Sequence, residues 1–177
     1  MAQAPCRRFK SSGLSSRHLL MPKGHGPFGV DFFRFRYRHL INPPFLALKR
    51  RAEELHSSAC REMPVNPECG GLLLFYAAEC SLKAAYMYKN NLRHTGEQRG
   101  QYKAARSFVH NLKDLVTALN IPAASLPKTP EVFLVRNGER NEISDLHQAW
   151  RYGEKIRETA TIIQWLTKLI EWCKKNT

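Results

Sequence analysis

The sequence predicts an all-α protein: an up-and-down bundle of four or five helices, preceded by a basic, partly extended N-terminal arm. Three observations lead there. After residue 44, apolar residues recur at spacings of three and four, the period of one helix face. Prolines and glycines gather between those stretches, where chain breaks belong. Hydrophobic residues make up 43% of 177 residues, which suits one globular core and excludes a disordered chain. The longest apolar run, Leu72 to Ala78, is far short of a membrane span, so no membrane partner is expected.

The arm covers residues 1–43. Its first thirty residues hold Gly13, Gly24, Gly26, Gly29, Pro5, Pro22 and Pro27, a loop-rich leader without a packed element. Phe33, Arg34, Phe35, Arg36, Tyr37 and Arg38 then alternate. In an extended strand the aromatics share one face and the arginines the other. The aromatic face suits anchoring on a protein surface, and the arginines suit phosphates. Arg7, Arg8 and Lys10 add to the same charge. Residues 1–50 hold ten Lys or Arg against one acid, a net of +9 within a chain of +13. A polyanionic partner follows, and nucleic acid is the commonest one. A tail docked on an acidic protein is the plainer alternative.

The bundle covers residues 44–177. Leu48, Ala52, Leu55 and Ala59 predict a first helix to about residue 62. Pro64, Pro67, Gly70 and Gly71 read as a break. A second helix, about Leu72 to Asn91, is apolar nearly all round and is expected at the centre. A third, about Ala105 to Asn120, carries Phe108, Leu112, Leu115 and Leu119. Residues 131–143, with Asn137 and Gly138 at the turn, suggest a small hairpin. Helix returns from Ile143 to Tyr152, pauses at Gly153, and resumes from about Arg157 to Lys175.

No dinucleotide, Walker, zincin or nucleophile-elbow motif is present. No zinc-type cluster of histidines and cysteines is evident and no CxxC occurs, so neither a metal nor a cofactor is expected. Five cysteines, an odd number without framework spacing, suggest a reducing, cytoplasmic setting.

Glu79 and Lys83 stand one turn apart on the apolar second helix. A buried carboxylate there needs partners. Arg151, with its planar fork, is the expected one across the bundle, and His110 and Tyr152 can add hydrogen bonds. A purely structural polar network is the competing reading.

Three stretches stand in order: FYAAECSLKA from Phe75, HNLKDL from His110, and LHQAWRYG from Leu146. Together they resemble the HEPN family (higher eukaryotes and prokaryotes nucleotide-binding domain), over about residues 44–175. Its members show an A-x-E-x-x-L-K-A type helix, an H-x-L-x-x-L helix start and an Arg-Tyr pair. The resemblance implies a HEPN-like bundle. It also implies, for many members, metal-independent RNA cleavage by an Arg-x4–6-His motif, two copies facing across a dimer cleft. Arg140 and His147, with six residues between, fit that spacing. Arg151 and Tyr152 compete for the same role; in that register no histidine follows at the family's distance. The implied setting is a toxin or antiphage defence system, with RNA, a second copy or a larger complex as partner. The alternative is a non-catalytic accessory subunit that binds nucleic acid or protein through the arm.

Overall fold

The computed structural model describes residues 41–177. Arg7, Arg8, Lys10, Arg34, Arg36 and Arg38, and the strand expected around them, lie outside those residues. The described chain is mostly helical, with five α-helices and one two-stranded hairpin. None of these helices is long and apolar enough to cross a membrane.

Helix α1, Phe45–Glu62, buries the expected stripe of Leu48, Ala52, Leu55 and Ala59. After four connecting residues α2 begins, and it runs from Pro67 to Lys89. The expected break at 64–71 is therefore only half right. Pro67 fits the first helical position, where no N–H is needed. The Asn66 side chain caps the end by accepting from the Cys69 N–H at 3.0 Å. Gly70 and Gly71 are inside the helix because neighbours press on it. A Cβ on Gly70 would stand 2.8 Å from the Met63 backbone, and one on Gly71 2.8 Å from the Trp150 ring.

α2 is the central element, packed against α1 and all three later helices. Phe75, Ala77, Ala78, Leu82 and Met87 are wholly buried along it. The segment before it in space is tied down early: Pro44 pairs with His94, and the Thr95 N–H donates to the Pro43 carbonyl.

The third helix is not one helix. A 3-10 turn over Ala105–Phe108 ends at Val109, whose φ of +49° and ψ of −114° reverse the chain. Helix α3 then spans only Leu112–Leu119, with Asn111 as its cap. The continuous stripe of apolar residues hid this break, because the turn keeps Phe108 and Leu112 both on the core.

The hairpin is present. β1, Val132–Phe133, pairs antiparallel with β2, Arg140–Asn141, around Gly138 at φ +69°. A 3-10 turn at Ile143–Asp145 leads into α4, Leu146–Arg151. Gly153, at φ +75°, ends it. α5, Thr159–Lys175, lays Ile162, Trp165, Leu166, Leu169 and Ile170 on the core.

Candidate active site

One polar cluster lies on the face of α2 that meets the 109–111 turn and α4. It begins with Glu79, only 6% exposed. Its Oε1 accepts from Lys83 Nζ at 2.5 Å, one helical turn on. Its Oε2 accepts from His110 Nδ1 at 2.9 Å. Lys83 Nζ also donates to the Val109 carbonyl at 2.7 Å. The expected network of Glu79, Lys83 and His110 is thus joined by direct contacts. Burying the carboxylate is tolerable because both oxygens meet donors.

The left-handed Val109 is part of this arrangement. That backbone region is costly for a β-branched residue. It aims the Val109 carbonyl at Lys83 and sets the next residue, His110, against Glu79.

From the other side α4 brings His147 and Arg151, one turn apart. His147 is buried and stacks on Phe75 with ring centroids 5.3 Å apart. Its Nδ1 lies 2.7 Å from the Ser144 carbonyl. The imidazoles of His110 and His147 are 4.3 Å apart between centroids. Tyr76 borders both, and its hydroxyl accepts from Arg151 Nη2 at 2.7 Å.

The tautomers follow from the partners. A carboxylate and a carbonyl only accept, so the Nδ1 of each ring donates. Each Nε2 is left for other work. The Ser144 bond and the charge of Glu79 favour the protonated form of His147. Burial outweighs them and holds its pKa below 6.5, helped by His110 and Arg151. His147 therefore stays a neutral base to lower pH than an isolated imidazole. Among the cysteines, burial pushes the Cys80 thiol up to about 11 and the Cys173 thiol up to about 12. Neither is a thiolate near neutral pH.

Three expectations need correction. Arg151 does not pair with Glu79; it bonds to the Tyr76 hydroxyl. Lys83, on the same helix, and His110 already occupy the carboxylate. Tyr152 points to solvent at 75% exposure, since α4 turns its side chain away from the face shared by His147 and Arg151. Arg140, matched with His147 by the motif spacing, is not on the helix that carries His147. It lies in β2 and pairs with Glu131 at 2.9 Å, because α4 begins only at Leu146.

Sequence reasoning missed Tyr76. The signal was there: Tyr76, Glu79 and Lys83 follow one another at i, i+3 and i+7, a polar edge on one face of an apolar helix. Among the described residues no group of three or more His, Cys, Asp or Glu is placed to hold a metal ion. No protein-family model matches the chain, and neither a curated protein nor a solved structure matches it.

Proposed function

We propose that the chain is a HEPN-like, metal-independent ribonuclease whose site is His147, His110 and Arg151. One observation carries the reading: two imidazoles 4.3 Å apart, each with Nδ1 engaged, beside an arginine on the same helix as one of them. Those groups match what RNA transesterification needs. His147 Nε2 takes the proton of a 2′-hydroxyl. The 2′-oxygen bonds to phosphorus as the bond from phosphorus to the 5′-oxygen breaks. A doubly protonated His110, its charge faced by Glu79, gives its Nε2 proton to that leaving oxygen. Arg151 stabilises the negative charge that builds on the phosphoryl oxygens. The products are a 2′,3′-cyclic phosphate and a 5′-hydroxyl.

Arg140, the arginine of the spacing motif, has no part in this reading. The exposed Val109 and Tyr152, next in sequence to His110 and Arg151, are where a second copy would cover apolar surface. A toxin or defence effector kept silent by a partner is the setting that fits such chemistry.

The test is cleavage of total RNA and of labelled tRNA in EDTA. His147→Ala and His110→Ala are expected to slow cleavage by about 10²- to 10⁴-fold, with Arg140→Ala unchanged. Cleavage by both histidine variants at the parent's rate would refute the assignment. That both Glu79 oxygens are taken by Lys83 and His110 favours a second reading, an accessory subunit with a structural network. It predicts no cleavage by parent or variants, and lower melting temperatures for both.

A further inference from the structure

Net charge is unevenly placed over the described residues. Residues 41–177 hold twenty Lys and Arg against fourteen Asp and Glu, a net of +6. Residues 89–106 hold five of those cations and only Glu97, a net of +4. Residues 168–175 hold Lys168, Lys174 and Lys175 against Glu171, a net of +2. Everything else balances at twelve against twelve.

The two stretches meet at one end of the bundle. A groove of about 880 Å³ lies among the C-terminal ends of α2, α3 and α5, lined in part by Tyr88, Lys89, Lys168, Trp172 and Lys175. A second cavity of about 440 Å³ shares Lys89 with it and is lined also by Arg99 and Tyr102. Glu171 is the one carboxylate lining either, and Lys168 bonds to it at 2.8 Å. Helix C-termini present negative ends that repel anions. Here Lys89 Nζ donates to the Leu119 carbonyl at 2.6 Å and covers the end of α3.

Aromatic faces accompany the charge. Tyr88 and Tyr102 are 56% and 41% exposed, and Trp172 is half-buried. Tyr88 is held in place by stacking on Phe45, with centroids 5.7 Å apart. Cations that track a backbone, interleaved with aromatic platforms, suit an unpaired strand better than a duplex, whose bases are already stacked. An acidic protein surface would use the cations and leave the platforms idle.

We propose that this double groove binds single-stranded nucleic acid, with Lys175 and Arg99 on phosphates and Tyr88, Tyr102 and Trp172 stacking on bases. It is a different surface from the histidine cluster. Lys83 of that cluster and Lys89 of the groove are six residues apart on α2, about 9 Å along its axis. Binding here does not depend on cleavage and is measured apart from it.

The experiment uses the full chain and a 2′-O-methyl RNA about 12 nucleotides long, which has no 2′-hydroxyl to attack. Trp150 and Trp165 are buried, so quenching of tryptophan emission on binding reads Trp172. Trp172→Phe is expected to abolish the quench. Arg99→Gln with Lys175→Gln is expected to weaken binding at least tenfold. It should also flatten the plot of log affinity against log salt by about 1.4, the loss of two phosphate contacts. Lys89 is left alone because it caps α3. Unchanged affinity and salt slope in the double variant, at an unchanged melting temperature, overturns the proposal. So does equal quenching by poly-glutamate, which marks a docking surface for an acidic protein.

Discussion

Glu79 is a single carboxylate, and much of the site is organised by how its two oxygens are shared. Lys83 takes one and His110 the other, so Arg151 is released to Tyr76 and His110 is drawn to face His147. A charged residue on an apolar helix is easy to see in the sequence, which is why Glu79, Lys83 and His110 were legible. Tyr76 was not, because a tyrosine on such a helix reads as core. The choice of partner was also out of reach, since it depends on a carbonyl that Val109 exposes by leaving helical geometry. His147 adds a pH dependence at this scale. Its pKa is lowered in the fold, chiefly by burial, so the unfolded chain takes up that proton first as pH falls. The stability concerned is whole above about 6.5 and is lost as pH drops from there towards the folded-state value. His56 is shifted in the same direction, again mainly by burial. Melting temperature is expected to fall between about pH 7 and about pH 5, and His147→Gln to fall less steeply. Equal slopes for parent and variant would show that His147 is not the group involved.

Among the elements, α1, α2 and α5 were readable from their stripes, and the hairpin from its Asn-Gly turn. The errors came where backbone geometry departs from what periodicity encodes. A left-handed valine divides the third helix, and no residue-type preference announces it. Two glycines sit inside α2, although glycine usually marks a break. Their reason is tertiary: α2 passes so close to Trp150 and Met63 that a side chain has no room. Gly71→Ala places a methyl 2.8 Å from the indole of Trp150. The helix gains propensity from alanine, about 1 kcal/mol. Displacing a buried indole on the helix that carries His147 costs about 1–3 kcal/mol. Chemical denaturation is expected to show a net loss, and a gain in stability would mean that Trp150 moves aside freely.

Seen as one body, residues 41–177 are built round a single core to which all five helices and β1 contribute, from Leu48 to Cys173. That continuity predicts one cooperative transition for a 41–177 fragment, with fluorescence and far-ultraviolet dichroism coinciding. Two separated transitions would place a boundary inside the bundle. The class of fold was legible because it rests on patterning alone. The juxtaposition of His110 with His147, from segments 37 residues apart, was not, since it is a product of packing. The total charge was also legible, though its concentration at one end of the helices was not.

That last feature has a mechanical side. A bundle neutral over most of its length and positive at one end carries a permanent electric moment along its axis. In the field of a polyanion a 41–177 fragment is expected to turn before it touches and to arrive with the groove leading. Encounter is then faster than random collision, and the advantage fades as added salt shortens the reach of the field to about 8 Å or less.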